Sequence, residues 1–302
     1  MTQSPHKSRP LGIAAAIGAS MIGSAWQIAS RHAVTTTLDP IALAMLRYCV
    51  PAILLLPILL RIGLFPSGLP KRRLAVLIAG GGLPFVLTGL TGARFAPVAH
   101  MGVLLASAMP VFTASLMWFL YRDTVATTRV FGFALISIGV AVLGERALST
   151  MDSTTLVGDL LFLLAATLWA AYSVAFRSAG LSPWQGVAVV NAWSALLVIP
   201  LYAVAGSANL ASAPIDDLLL QALVQGVVAG LLGLAIYSVA IRHLGPAPAS
   251  AFAALVPVLS TVGGAVFLSE PLTPWTSIAA ILAATGVLLA SGLFHPARGR
   301  EA

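Results

Sequence analysis

A chain of 302 residues that is 59% hydrophobic and 8% charged, with mean hydropathy +0.99, cannot cover a water-facing surface; soluble domains carry about 25% charged residues. Lipid must be the solvent for much of it. The +7 balance and pI of 10.3 would suit nucleic acid, but no basic, aromatic-interleaved patch is long enough, and the one cysteine, Cys49, excludes an intrachain disulfide.

In hydrocarbon every backbone polar group needs an internal partner, so spans are helices or closed barrels. Barrel strands alternate over about ten residues. Here the apolar runs are long and unbroken, and about 20 apolar residues take a helix across. Ten helices are predicted, at 11–30, 41–60, 74–93, 97–120, 129–145, 156–176, 184–204, 218–240, 246–269 and 274–294. The first follows His6, Lys7 and Arg9 as a signal peptide would. Its apolar run exceeds the roughly 7–15 residues of such a segment, so it is read as an uncleaved helix. The stretch 178–215 has no charge, which leaves the seventh helix with soft boundaries.

Polar residues inside spans are expensive and mark candidate cavities. In the first helix Ser20, Ser24, Gln27 and Arg31 share a face, with Trp26 beside them. The second carries Arg47, which can snorkel to the interface or offer its planar fork to a carboxylate. The third carries Gly81, Pro84, Thr88 and Thr91 on one face, and the fourth His100 and Ser107. Trp169, Tyr172 and Ser173 cluster in the sixth, and Asn191 and Ser194 lie three apart in the seventh. Tyr237 in the eighth stands opposite Gly226, Gly230 and Gly233. Each has a plainer reading: Ser and Thr bond back to the i−4 carbonyl, tryptophans anchor at interfaces, and glycine faces pack helices. The candidate substrate-binding set is Ser24, Trp26, Gln27, Arg47, Thr88, Thr91, His100, Trp169, Tyr172, Asn191 and Tyr237.

Lys and Arg collect on the cytoplasmic side of short loops. With ten spans and the N-terminus inside, twelve of the 16 fall inside; Arg31, Arg94 and Arg146 fall outside and Arg47 within a span. Both termini are therefore expected in the cytoplasm. The basic pI becomes a topology signal.

The first half repeats in the second. "WQIASRHAVTTTLDP" (26–40) lies over "WAAYSVAFRSAGLSP" (169–183), and "PVFTASLMWFLYRDTVA" (110–126) over "PVLSTVGGAVFLSEPLT" (257–273). Trp26 meets Trp169, Asp123 meets Glu270 and Gly139 meets Gly286. Five helices per half is odd, so the second half enters the membrane inverted, a device of transporters. The expected units are 11–145 and 156–294. Asp123 and Glu270 are read as structural ends that pair with nearby basic groups.

The P-x(12)-[DE] ends, the glycine-bearing spans after them ("VFGFALISIGVAVLG" and "SIAAILAATGVLLASG") and "DPIALAMLRY" resemble the EamA repeat of the drug/metabolite transporter superfamily. The resemblance covers about 11–294, and the length and plan are similar to YddG-type amino-acid exporters. It implies an all-α membrane protein of ten transmembrane helices in two inverted five-helix repeats around a central cavity. Helices five and ten would be peripheral, with helices one to four and six to nine lining the cavity. It also implies export of amino acids and other small metabolites across the inner or plasma membrane. In the second copy the place of Arg47 is taken by Val190.

No G-x-x-x-x-G-K-[ST] motif is present for an ATP-driven pump. H-E-x-x-H is absent and the five histidines are scattered, so no enzyme, metal site or cofactor is expected. "GIAAAIGASMIGSAW" holds no carboxylate, unlike the first helix of the small multidrug cation pumps it would otherwise resemble. The expectation is a carrier, monomer or weak homodimer, whose partners are the lipid bilayer and a small-molecule substrate. Neutral amino acids, aromatic ones included, would be exported by alternating access. A proton-coupled exporter of drugs or sugar phosphates is the alternative, and a membrane enzyme the remote one.

Overall fold

The computed structural model describes residues 8–122, 127–149, 153–205 and 209–290, and all regular structure among them is helical. Among the described residues, seven helices are long and apolar enough to cross a membrane. They are α1 (Arg9–Thr36), α3 (Lys71–Phe95), α4 (Val98–Tyr121), α6 (Ser153–Arg177), α7 (Pro183–Ala205), α8 (Ile215–Leu244) and α9 (Pro248–Leu268). Between the first two lies α2 (Pro40–Leu54), continued at a bend of 69° by Leu56–Ile62. Two further helices, α5 (Thr127–Ser149) and α10 (Pro274–Ala290), stand fifth and tenth in order, with shorter apolar stretches at Thr127–Leu143 and Pro274–Ala290. Large apolar side chains such as Leu60, Val204 and Phe267 face outward, as a lipid solvent requires.

Local sequence explains the starts and breaks. Asp39 caps α2, accepting from Ile41 N–H (2.8 Å) and Ala42 N–H (2.9 Å), with Pro40 in the first helical position. The expected straight span 41–60 is not straight. Pro57 has no N–H to give the previous turn and disfavours helical backbone before it, so the chain turns at Leu55. The third helix is broken at Gly82, two residues before Pro84. That break frees Leu83 N–H, which donates to Ser194 Oγ of α7 (3.0 Å). Ser194 therefore acts as a cap supplied across the bundle. Two helices carry π-helical segments, Met101–Ala106 in α4 and Ala222–Gly233 in α8, and α9 passes through a 3-10 turn at Phe252–Ala254.

The helix neighbours show the repeat in space. Helix α1 packs on α8 and α9, and α6 packs on α3 and α4. Exchange the halves, so that one becomes six, three becomes eight and four becomes nine, and the first set maps onto the second. Of the other major pairs, α2 with α7 and α5 with α10 map onto themselves, whereas α2 packs on the π segment of α8 more extensively than its counterpart α7 packs on α3. The detail holds at residue level. Gly132 faces Gly286, and a side chain on either would run into the other's carbonyl. Gly139 faces Ala279. Adding the 147-residue offset turns the first contact into the second, which is the mark of a pseudo-two-fold.

Candidate functional site

Between the two halves lies a cavity of about 90 Å³, several times the roughly 10–15 Å³ that one water needs. One wall is a face of α1: Ala16, Ala19, Ser20, Gly23, Trp26 and Gln27 recur at helical spacing. Arg47 enters from α2, Phe85 from α3, Met109 from α4, Trp169 from α6, Tyr237 from α8 and Val256 from α9. Helix α7 contributes no lining residue, although the sequence placed it in the wall, because Asn191 and Ser194 are used in packing. Helices α5 and α10 lie outside the lining.

The cavity has an aromatic side. Phe85 stands between the repeat-related tryptophans, 5.9 Å from Trp26 and 4.8 Å from Trp169 between ring centroids. Trp169 also meets Tyr237 at 5.0 Å and Tyr172 at 5.3 Å. Tilted ring pairs at such distances add about 0.5–1.5 kcal/mol each beyond area burial.

The cavity has one charge. Arg47 is 5% exposed and its guanidinium carbon lies 4.9 Å from the centre of the Trp26 ring. Its Nε and Nη1 have no hydrogen-bond partner. A desolvated guanidinium on a tryptophan face gains about 2 kcal/mol, far less than its lost hydration. Gln27 Oε1 accepts from Ser260 Oγ (2.6 Å), and its Nε2 has no partner among the described residues. Two further lining hydroxyls are committed: Ser20 Oγ lies 2.7 Å from Phe252 O and 2.9 Å from Ala16 O, and Tyr237 Oη pairs with Ser173 Oγ (2.9 Å).

Of the residues singled out from sequence, Trp26, Gln27, Arg47, Trp169 and Tyr237 meet at this cavity. The others lie outside its lining. Ser24 donates to Ser20 O and Thr88 to Pro84 O, the back-bonding that hydroxyls favour in apolar helices. Thr91 is half-buried on α3. Tyr172 is fully buried and bonds Ser238 Oγ (2.8 Å). Asn191 Nδ2 donates to Val187 O and to Gly230 O of the α8 π segment. His100 Nδ1 meets Asp159 Oδ1 at 2.9 Å.

Some residues went unmarked in the sequence. Gln225 is fully buried and accepts from Trp26 Nε1 (2.8 Å), while its own Nε2 donates to Ser30 Oγ and Gln221 Oε1. This network fixes the edge of the Trp26 ring. Two amides four apart inside "LLLQALVQGVV" carry that signal. Asp159 was overlooked because it lies near a helix start, where a carboxylate needs no special reason.

The end of the bundle beyond Gln27 is held shut. Arg31 Nε donates to Glu270 Oε1 (3.0 Å) and Arg31 Nη1 to Ala93 O (2.7 Å), while Glu270 Oε2 accepts from Val98 N–H (3.0 Å). Two side chains thus tie together the ends of α1, α3, α4 and α9. Glu270 has the basic partner expected of it; Asp123, its repeat counterpart, lies outside the described residues.

No curated protein matches the chain. One solved structure, described only as "Crystal structure of protein", superposes with a TM-score of 0.62 at 20% identity, covering 95% of this chain and 99% of that one; it speaks for the fold alone. The EamA-like transporter family matches twice, at residues 10–144 and 156–292. An all-helical, apolar bundle with a duplicated plan and a cavity between its halves fits that match, and the chain belongs to the EamA-like transporter family.

Proposed function

We propose that this drug/metabolite-type transporter crosses the inner or plasma membrane ten times, with both termini in the cytoplasm. It exports neutral amino acids, aromatic and small aliphatic, by alternating access at the cavity between its halves. Helices α5 and α10 count as spans in this reading: α5 has 23 residues, and local thinning of the bilayer accommodates the 17 of α10.

The observation that carries the substrate reading is Arg47: a buried guanidinium with unpartnered Nε and Nη1, at a cavity otherwise walled by rings and small side chains. A carboxylate supplies the missing acceptors, and the ring side takes an apolar body. Movement follows the metabolite's own gradient. Purified protein in liposomes, given neutral, acidic and basic amino acids, a sugar phosphate and a quaternary cation, tests this. Neutral amino acids are expected to move, and movement of the cation alone overturns the reading.

One observation favours a second mechanism, proton antiport: His100 and Asp159 form a largely buried pair in which Asp159 Oδ2 has no partner. Uptake that follows an imposed pH gradient selects the antiporter, and indifference to the gradient selects facilitated export.

A further inference from the structure

Charge at the cavity is of one sign. Arg47 Nε and Nη1 are donors without acceptors. The acceptors facing them are neutral: Gln27 Oε1 accepts from Ser260, while Ser20 Oγ and Tyr237 Oη spend their protons on backbone carbonyls and on Ser173 and keep their lone pairs. No carboxylate lines the cavity. Among the described residues Glu270 is held by Arg31, Asp159 by His100, Asp39 caps α2, and Asp216 and Asp217 stand in the first turn of α8, outside the lining. An α-ammonium group arriving here finds neutral oxygens and no carboxylate to take up its charge.

A ring face is the remaining option for an ammonium group, and the one beside the carboxylate site is taken, because the Arg47 guanidinium already covers Trp26. Charge gives the same answer. A zwitterion leaves the cavity at net +1 because Arg47 has no counter-ion among the described residues, whereas a monoanion brings it to zero. In low-dielectric surroundings an uncompensated charge is the expensive case.

We infer that the same cavity also carries organic monocarboxylates that have an apolar or aromatic body and no amino group. The inference rests on the carrier reading above but not on amino acids being the cargo. The carboxylate binds Arg47, with Gln27 Nε2 as a second donor, and the body lies against Phe85 and Trp169. Because Arg47 stays with the protein, the anion's charge crosses the membrane uncompensated. Its flux is therefore electrogenic, while that of a zwitterion is not.

The test uses the full chain in liposomes at pH 8, with protein-free liposomes subtracted. Labelled 3-phenylpropionate, phenylalanine and phenylethylamine are compared, and a valinomycin-set potassium potential is applied. In parallel, binding to the detergent-purified protein is followed by tryptophan fluorescence. The expected order is 3-phenylpropionate tighter than phenylalanine, with phenylethylamine not bound, and an interior-positive potential speeding the carboxylate only. Arg47→Gln is expected to weaken 3-phenylpropionate binding by roughly tenfold or more, since a charge-assisted hydrogen bond is at stake; Arg47→Lys retains part of it.

If phenylalanine moves and 3-phenylpropionate neither moves nor binds, the inference is overturned and the amino-acid reading stands. If the carboxylate alone moves, the inference stands and the amino-acid reading falls. If neither moves, both fall. These comparisons use the native protein, so they decide even if Arg47→Gln fails to fold.

Discussion

Arg122 and Ser269, 147 positions apart, are the two non-glycine residues among those described whose backbone turns left-handed, at φ 55° and 54°. Each follows the last turn of its helix, α4 or α9. Arg122 N–H returns to Trp118 O (2.9 Å), and beyond Ser269 the N–H of Glu270 returns to Gly264 O (3.2 Å). The repeat has kept a strained terminus in both copies, and at Ser269 that terminus aims Glu270 at Arg31.

Left-handed backbone costs a non-glycine residue about 1–2 kcal/mol. Ser269→Gly is therefore expected to raise the thermal unfolding midpoint in detergent, and Ser269→Val to lower it. A lower midpoint for the glycine variant refutes the account.

Gly132 and Gly286 set the distance between α5 and α10. Either one changed to leucine is expected to destabilise the protein by about 1–3 kcal/mol, the usual effect of overpacking. Because neither lines the cavity, KM in the surviving folded fraction should not change. A changed KM with unchanged stability would contradict this.

The Arg31–Glu270 pair closes one end of the bundle. Glu270→Gln is expected to speed labelling of a cysteine placed at Ser260, in a Cys49→Ser background, by an impermeant maleimide. The charge swap, Arg31→Glu with Glu270→Arg, should restore closure only in part, because Val98 N–H loses its acceptor. Full restoration would show that the ion pair alone holds the end.

Arg47→Gln should impair all transported neutral amino acids by a similar factor, because it acts on the carboxylate they share. Loss of a hydrogen bond to a charged group removes about 1.5–3 kcal/mol. A loss confined to aromatic substrates would place Arg47's effect on the Trp26 ring instead.

Gln225→Leu leaves the Trp26 N–H unpaired in a buried site, at about 1–3 kcal/mol. The ring loses its fixed edge, so KM for aromatic substrates is expected to rise more than KM for small aliphatic ones. Equal rises would show that Gln225 supports the helix packing and not the ring.

The sequence made the broad plan legible because lipid leaves few choices. Long apolar runs must be helices, and the offsets linking Trp26 to Trp169 and Gly139 to Gly286 expose the duplication. Arg47 stood out because a charge inside a span always needs a reason. Thr88 and Ser24 misled as site candidates because a hydroxyl's choice between its own helix and a cavity depends on which face turns inward. The π segments of α4 and α8 have no simple sequence signature, yet they set that facing for Leu105 and Gly233. The break at Gly82 also hid the role of Ser194, which caps a helix nearly 100 residues upstream of α7.

Under the proposed alternating access, the seam of α5 and α10 is the fulcrum. Because it maps onto itself when the halves trade places, as α2 with α7 also does, α5 stays against α10 through such a trade, with the Gly132–Gly286 and Gly139–Ala279 contacts exchanging roles. The pairs that do not map onto themselves are the levers. Whatever separates α1–α9 from α4–α6 in one state is handed from one pair to the other in the opposite state. The Arg31–Glu270 tie belongs to the α1–α9 lever, so in that mechanism the end it closes is released when the lever swings, while α5 and α10 stay paired.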